Sequence, residues 1–407
     1  MKVPTAWARF DDLRAGTACR FPEIAYDLVA TRPEHVVDVL AEVDEATRRG
    51  WWAFGFVSYE AAAGLDPSLA VHDTVDGLPL AWFGIARKPE RVPLVRPTAN
   101  PSYQVGTWRY EWAADEHRDK VEAVRRHIAA GETYQTNLTT RLTADVAGDL
   151  PQLYADMACA QGGAYNAYLD TGQFAIASAS PELFFEITDD QLLMRPMKGT
   201  AKRGHSAFED REIVARLQAS EKERAENIMI VDLVRNDVAQ LAVTGGVSVT
   251  ALCRAEQYET VHQLTSDVTA RLRPDLDLAE IFRALFPCGS VTGAPKHRTM
   301  EIIRDLEPTP RGVYCGAIGV VAPVGVPVRA RFNVAIRTLV LDTDRGSAVY
   351  GTGGGITWDS QPAAEYAELR AKAAVLTTRR QSPLGRQVAR SRPSFVAVKS
   401  ASMPDEK

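Results

Sequence analysis

The chain has few cysteines, and their spacing excludes the structures that cysteines usually build. Its five cysteines are spread along the chain and form no Cys-x-x-Cys pair. An odd number without close pairs argues against a disulfide framework, a structural zinc site or a redox pair. We expect all five to be small, reduced core residues.

Long apolar runs and a strong excess of one charge are missing as well. No stretch approaches the ~18 consecutive apolar residues of a membrane helix, and the N-terminal sequence MKVPTAWARFDD lacks the apolar segment of a secretory signal. The expected location is therefore the cytoplasm. A net charge of −5 gives no general attraction to nucleic acid or anionic membranes, so local charges in a pocket would have to hold an anionic ligand.

The sequence does contain enough apolar residues for a large core, with 407 residues of which 45% are hydrophobic. Strand-like segments outnumber helical ones and do not alternate regularly with them. This pattern predicts an α+β fold in which large antiparallel β-sheets pack as a sandwich with surrounding helices. We expect residues 1–100 to form the N-terminal portion of this sandwich, residues 112–378 to form the functional region, and the basic tail 379–407 to be disordered.

Two acidic pairs share one spacing on two predicted helices. Glu223 and Glu226 lie in EKERAEN, and Glu365 and Glu368 lie in AEYAELRAKA. Residues three apart share a helix face, so each pair accepts a like-charge penalty of about 0.2–0.5 kcal/mol. If the helices face each other across a cleft, these carboxylates suit a hard cation such as Mg²⁺ or Ca²⁺. The alternative is that both pairs lie on solvated faces beside neighbouring lysines and arginines.

Three further charged residues occupy positions that suit chemistry. Lys198 lies where an apolar strand meets a Gly-Thr turn, and partial burial there would lower its pKa and make the amine nucleophilic. Glu182 follows a turn proline and would be a general acid if its pocket raises its pKa. Arg337 alternates with apolar residues on a predicted strand, so an inward side chain would need a carboxylate. Solvated positions are the alternative for all three.

Two glycine clusters are candidate binding loops. The segment GSVTGAPKHR, residues 289–298, is not a phosphate-binding Walker A loop because Ala-Pro precedes Lys296. Its backbone N–H groups and Thr292 could still hold a carboxylate. The glycines of residues 351–355 would let a ligand lie against the main chain, although such clusters are more often turns.

Tyr314 and His262 are compatible with the core or with a site.

Nine motifs in this order closely resemble those of the chorismate-utilising enzymes. That family comprises the large subunits of anthranilate synthase and aminodeoxychorismate synthase, with isochorismate and salicylate synthases as more distant members. The resemblance runs from about Trp112 to Leu376, whereas the first hundred residues are similar only loosely. The motifs are GETYQTNL, SASPELFF, RPMKGTAKRG, EKERAENIMIVDLVRND, TVHQLTSDV, FPCGSVTGAPKHRTMEIIRDLEP, RGVYCGAIG, FNVAIRTL and GTGGGITWDSQPAAEYAELRAKA.

The resemblance implies a role for each candidate residue. It implies one Mg²⁺ ion that binds the ring carboxylate of chorismate, held directly by one glutamate of each acidic pair and through water by the other. It also implies that Glu182 protonates the departing ring hydroxyl. By the same resemblance, the metal site comprises Glu223, Glu226, Glu365 and Glu368, the enolpyruvyl carboxylate is bound by Tyr314 and Arg337, and further substrate contacts come from Thr200, His262, Thr292, Gly293, Gly355 and Lys372.

Two positions divide the family by reaction. Isochorismate and salicylate synthases resemble one another in a lysine that activates water, where this chain has Gln135, so ammonia is the better candidate nucleophile. Anthranilate synthases carry alanine in Pro-Ile-Ala-Gly-Thr, whereas Lys198 in Pro-Met-Lys-Gly-Thr matches the lysine of aminodeoxychorismate synthases.

The resemblance therefore implies the conversion of chorismate and ammonia to 4-amino-4-deoxychorismate, for p-aminobenzoate and folate synthesis, through a covalent intermediate on Lys198. Anthranilate formation and a non-catalytic chorismate-binding scaffold are the alternatives. No glutaminase signature is present. The resemblance thus also implies a separate glutamine amidotransferase subunit that supplies the ammonia.

Overall fold

Two large antiparallel sheets form the framework of this protein. The computed structural model describes residues 6–75, 77–258 and 261–376. Within these residues, one sheet has eleven strands, the other has ten, and every strand pairing is antiparallel. Helices surround the two sheets, which confirms the predicted α+β sandwich.

The strands are numbered in chain order. They are β1 Trp7–Asp12, β2 Thr17–Phe21, β3 Tyr26–Ala30, β4 Trp52–Val57, β5 Ala81–Ala86, β6 Glu90–Arg91, β7 Tyr103–Val105, β8 Arg109–Tyr110, β9 Gln135–Gly148, β10 Tyr165–Asp170, β11 Phe174–Ser180, β12 Leu183–Thr188, β13 Gln191–Arg195, β14 Met197–Lys202, β15 Ala242–Gln257, β16 Val261–Leu272, β17 Gly293–Ala294, β18 Ala317–Val321, β19 Val328–Val334, β20 Thr338–Asp342 and β21 Ser347–Ile356.

The helices are numbered in the same way. They are α1 Val36–Arg48, α2 Ala62–Leu65, α3 Ala114–Ala129, α4 Leu150–Gln161, α5 Ala207–Ala219, α6 Glu221–Ala239, α7 Leu278–Leu285, α8 Lys296–Leu306 and α9 Pro362–Ala373. Among the residues described, no helix is both long and apolar enough to cross a membrane.

The strand order brings early and late strands of the described chain into the same sheets. The first sheet runs β17-β9-β21-β20-β11-β10-β1-β2-β6, with β7 and β8 also paired to β9. The second runs β14-β16-β13-β12-β19-β18-β4-β5-β3, with β15 on β16. Strands from the first hundred residues therefore enter both sheets. The boundary between residues 100 and 112 stays a prediction, and the predicted tail, residues 379–407, lies outside the described residues.

Apolar side chains fill three layers. The inner layer lies between the sheets and includes Phe54 and Trp82 from one sheet and Leu169 and Ile176 from the other. Helices α1, α6 and α7 cover the outer face of the second sheet, and α4 covers the outer face of the first. Each fully buried side chain of this size contributes about 1.5–3 kcal/mol. The layers hold the sheet edges that frame the site.

Ser360 lies just before helix α9 and contacts one of its acidic side chains. The N-cap of this helix is Gln361 and not Ser360. Ser360 instead accepts a hydrogen bond from the Thr357 N–H at 3.1 Å and donates one to Glu365 Oε1 at 2.7 Å. Its hydroxyl therefore orients an acidic side chain and does not cap the helix.

Candidate active site

Glu182 and Arg337 lie where the chain crosses from one sheet to the other. Glu182 follows β11 of the first sheet and precedes β12 of the second, and Arg337 lies between β19 of the second and β20 of the first. The two crossings are hydrogen-bonded, because Val334 N–H donates to the Glu182 carbonyl at 3.1 Å and Ala179 N–H donates to the Arg337 carbonyl at 3.0 Å. Residues far apart in sequence thus meet at one end of the sandwich.

The crossing corrects the prediction that Arg337 alternates on a continuous strand. The strand breaks after Val334, and Arg337 has a φ of 51°, a left-handed conformation that costs of order 1–3 kcal/mol for a side chain of this kind. Its guanidinium contacts Gln161 Oε1 and, in the part of the chain that the structure describes, forms no ion pair with a carboxylate. Burial lowers the pKa of Arg337. This cation is therefore free to bind an anionic ligand.

Lys198 lies on a β-bulge at the edge of the second sheet. The pairing of β14 with β16 shifts register between Lys198 and Thr200, and Gly199 between them has a φ of 76°. A bulge of this kind re-aims the neighbouring side chain. Glycine is favoured here because side chains rarely adopt this positive φ, and an added Cβ would also lie 2.8 Å from Glu223 Oε2. Desolvation lowers the pKa of Lys198, and Lys372 acts in the same direction against the opposing effect of Glu226.

The glycines of β21 leave the space in which a ligand can lie. An added Cβ on Gly351 would lie 2.2 Å from the ring of Tyr314. An added Cβ on Gly355 would lie 2.6 Å from Gln135 Nε2 and 3.0 Å from Lys198 Nζ. Glycine at these alternate positions therefore lets Tyr314, Gln135 and Lys198 approach the strand.

Helices α6 and α9 bring both acidic pairs to the same cavity, which has a volume of about 230 Å³. Burial raises the pKa of three of the carboxyls, those of Glu223, Glu226 and Glu365. Burial also acts to raise the pKa of Glu368, but Lys372 and other nearby lysines outweigh it and lower the pKa. Lys372 Nζ lies 2.8 Å from Glu368 Oε1 and donates to the Gly353 carbonyl at 2.7 Å. The wall therefore concentrates negative charge that is only partly neutralised.

This donor set fits Mg²⁺ by its chemistry. Within the described residues, no three His, Cys, Asp or Glu side chains are grouped closely enough to hold a metal ion by themselves. Mg²⁺ is usually held by one or two carboxylates and several waters, so facing pairs of oxygen donors with room between them suit it. A cation bound among these carboxyls would favour their charged forms.

Glu182 is the most buried acid of the cavity. Its side chain is 4% exposed, and Oε1 has no hydrogen-bond partner among the described residues. Burial raises the pKa of Glu182 to about 7, although Ser290, Lys198 and Lys372 act to lower it. A carboxyl with this pKa is partly protonated near neutral pH and can donate a proton.

The cavity brings together most of the predicted site residues. Its lining includes Glu182, Lys198, Thr200, Glu223, Glu226, Tyr314, Arg337, Gly355, Glu365, Glu368 and Lys372. Burial raises the pKa of Tyr314 well above its usual value, so the phenol is protonated and can donate to a ligand. A second, more apolar cavity of about 170 Å³ lies behind Tyr314 and Gly351. Its lining does not include the acidic pairs, Lys198 or Glu182, and it has no counterpart in the predicted chemistry.

Three predicted site residues lie outside the lining of this cavity. His262 is 2% exposed, and its Nε2 lies 2.9 Å from Asp210 Oδ1. Thr292 is fully buried, and its hydroxyl donates to the Cys288 carbonyl at 3.2 Å. Gly293 pairs with Thr136, and an added Cβ would lie 2.0 Å from the carbonyl oxygen of Gln135. In this structure these residues support the walls.

Sequence reasoning missed several polar residues of the lining. They are Asn137, Lys222, Gln263, Ser290 and Thr352. Asn137 had a detectable signal, since it lies two residues after Gln135 on a strand and so shares its face.

Lys296 of the glycine-rich segment pairs with Asp237 of α6 at 3.0 Å. It therefore anchors the helix that carries an acidic pair and is not a phosphate ligand.

The fold and this cavity place the chain in a family of chorismate enzymes. A model of the family described as chorismate binding enzyme matches residues 15–378. The chain belongs to this family.

Similar proteins include members with two different names. The aminodeoxychorismate synthase of Streptomyces griseus is 37% identical over 347 residues, which are 85% of this chain and 44% of that protein. Aminodeoxychorismate synthase component 1 of Escherichia coli K12 is 40% identical over 261 residues, 64% of this chain and 56% of that protein. An anthranilate synthase component 1 of Haloarcula marismortui is 40% identical over 269 residues, 66% of this chain and 52% of that protein.

This chain thus spans about half the length of these relatives. Sequence identity alone does not decide between aminodeoxychorismate synthase and anthranilate synthase, the two names among these relatives. Among solved structures, anthranilate synthase component I from Streptococcus pneumoniae TIGR4 has a TM-score of 0.76, 24% identity and coverage of 93% of each chain. At this identity the likeness concerns the fold only.

Proposed function

We propose that this chain converts chorismate and ammonia to 4-amino-4-deoxychorismate, the component 1 reaction that leads to p-aminobenzoate and folate. The observation that supports it most is the placement of Lys198, a lysine of lowered pKa, in the same cavity as the protonatable Glu182. A nucleophile and an acid are the two groups that this exchange of substituents needs. The names of two similar proteins agree with the proposal.

In the first step, the free amine of Lys198 attacks ring carbon 2 of chorismate. The new carbon–nitrogen bond shifts the two ring double bonds, and the bond between carbon 4 and its hydroxyl breaks. Glu182 gives its proton to that hydroxyl, which leaves as water. Arg337 and Tyr314 hold the enolpyruvyl carboxylate so that the ring cannot turn.

In the second step, ammonia attacks carbon 4. The double bonds shift back, the bond between carbon 2 and Lys198 breaks, and the amine is regenerated. The new ammonium group returns one proton to Glu182, so the site is reset and the sum is chorismate plus ammonia giving product plus water. Gln135 is neutral and cannot serve as a base toward water, which favours ammonia as the nucleophile.

The acidic pairs would hold Mg²⁺ in this proposal. Glu223 or Glu226 from α6 and Glu365 or Glu368 from α9 would each supply one direct ligand. When bound, the ion supplies positive charge to the ring carboxylate and orients it. Ser360 and Lys372 keep the α9 carboxylates in place through the contacts described above.

The ammonia would come from a separate glutamine amidotransferase subunit. The name of the E. coli relative, component 1, agrees with a second component. We place the reaction in the cytoplasm, because all five cysteines are free thiols and suit a reducing compartment.

Incubation of the protein with chorismate, MgCl₂ and an ammonium salt tests the proposal, with and without an aminodeoxychorismate lyase. We expect p-aminobenzoate only when the lyase is present, and no product after Mg²⁺ is chelated. Fluorescent anthranilate without lyase would show that the chain is an anthranilate synthase component instead. Unchanged chorismate with tight binding would indicate a non-catalytic scaffold.

The pH dependence of the reaction should report Glu182. Because Glu182 must be protonated to act as the acid, we expect kcat/KM for chorismate to fall as the pH rises through about 7, the value to which burial raises its pKa. The concentration of neutral ammonia must be held constant across the series. Glu182→Gln should lower the rate by about 10²–10⁴-fold and remove this fall. A fall of the same midpoint in the Gln variant would exclude Glu182 as its source.

A further inference from the structure

Asn137 lies in the cavity wall with an amide that has no partner. It is on β9 and 7% exposed, and it lines the cavity. Its backbone is fully used, since the N–H donates to the Thr292 carbonyl at 2.7 Å and the carbonyl accepts from Arg311 Nη2 at 2.8 Å. Its side-chain amide forms no hydrogen bond with any described residue. Because this amide lines the cavity and has no partner among the described residues, a ligand in the cavity can pair with it.

A buried clamp fixes the position of Asn137. Arg311 is 9% exposed, and its guanidinium binds both carboxylate oxygens of Glu307, at 2.8 and 2.6 Å. The same guanidinium donates to the Val291 carbonyl at 2.7 Å as well as to that of Asn137. Arg311 therefore ties β9 to the turn that carries Ser290 and Val291. A side chain held from behind in this way is preorganised toward the cavity.

The neighbours of Asn137 show which part of the substrate it faces. It pairs directly with Gly355, next to which Lys198 Nζ lies. On the other side of β9 lies the turn that contains Ser290, whose hydroxyl acts to lower the pKa of Glu182. Asn137 thus lines the cavity that also contains the proposed nucleophile and the proposed acid. Arg337 and the acidic pairs, which suit the carboxylates of the substrate, line the same cavity.

The group exchanged at carbon 4 has the chemistry that fits this amide. A leaving hydroxyl and an incoming ammonia are both small and neutral, and each offers a hydrogen to donate and a lone pair. We propose that Asn137 binds the nitrogen nucleophile, with Oδ1 accepting an N–H of ammonia so that the nitrogen lone pair points to carbon 4. The bond changes are those of the second step above. This inference rests on the proposed function and adds the residue that orients its second substrate.

Steady-state kinetics with ammonium chloride, without an amidotransferase, tests the inference. At saturating chorismate, we expect Asn137→Ala and the isosteric Asn137→Leu to raise KM for ammonia about 3- to 10-fold, the effect of one lost hydrogen bond. Asn137→Asp keeps an acceptor oxygen and should restore KM toward the wild-type value. The dissociation constant for chorismate, measured by calorimetry, should stay within about twofold.

The matched control is Thr143→Ala, which lies on the same strand and outside the cavity lining. Thermal melting of each variant identifies any that do not fold, and either apolar variant is sufficient. An unchanged KM for ammonia, or a loss confined to chorismate binding, would overturn the inference alone. Absence of product from the wild-type chain would overturn the proposed function and, with it, this inference.

Discussion

Lys198→Ala should abolish formation of 4-amino-4-deoxychorismate. We expect the rate to fall by on the order of 10³-fold or more, because loss of the proposed covalent nucleophile would remove the whole two-step route. The protein should remain folded, since the Lys198 side chain forms no hydrogen bond or ion pair with any other described residue. Product is measured by the lyase-coupled assay, and folding by thermal melting.

Lys202→Ala is the matched control, because this exposed lysine ends the same strand. It should keep full activity. Mass spectrometry of the wild-type protein with chorismate and without ammonia adds a direct test, in which a covalent adduct should appear and should be absent from the Ala variant. Full activity in Lys198→Ala would exclude the covalent mechanism.

Arg311→Met should destabilise the whole protein. Arg311 and Glu307 form an ion pair with side chains 3% and 4% exposed, and Arg311 also stacks 4.5 Å from the centre of the Tyr59 ring. Removing the arginine leaves the Glu307 carboxylate buried without its cation, which costs about 3–5 kcal/mol. The measurement is the free energy of unfolding from denaturant titration with an unchanged slope.

Arg304→Met is the comparison that separates burial from charge. Arg304 pairs with Asp305 at 3.1 Å, but these side chains are 45% and 63% exposed. Water screens such a pair, so we expect a change of about 0–1 kcal/mol. Similar values for the two variants would contradict the argument that burial makes the Arg311 pair important.

The sequence predicted those site residues whose chemistry is carried by local motifs. Lys198 and Glu182 were identified from their turns and from the family resemblance, and the structure places both in one cavity. Each acidic pair was visible as a helix spacing. The glycines of β21 were visible as a cluster, but only the structure shows that Gly351 makes room for the ring of Tyr314.

Prediction failed where a residue's surroundings come from distant parts of the chain. Arg337 reads as a strand residue because its neighbours alternate, yet the chain changes sheets there and forces a positive φ. The motif that contains His262 likewise gave no sign that this residue faces Asp210 and not the cavity. Asn137 was overlooked because an asparagine on a strand has no chemistry until its partners are known.

By itself, the sequence determined the fold class, the family and the charged residues predicted for the site. The spacing of apolar residues and short motifs are local properties, so both can be read from the sequence. The absence of paired cysteines and long apolar runs argued only against a disulfide framework and a membrane helix. The tertiary structure alone decided which of those residues share a cavity and which polar groups are left without partners. For Glu182 and Arg337 the cavity depends on two chain crossings between the sheets, and a crossing joins residues whose separation along the chain leaves no periodic signal.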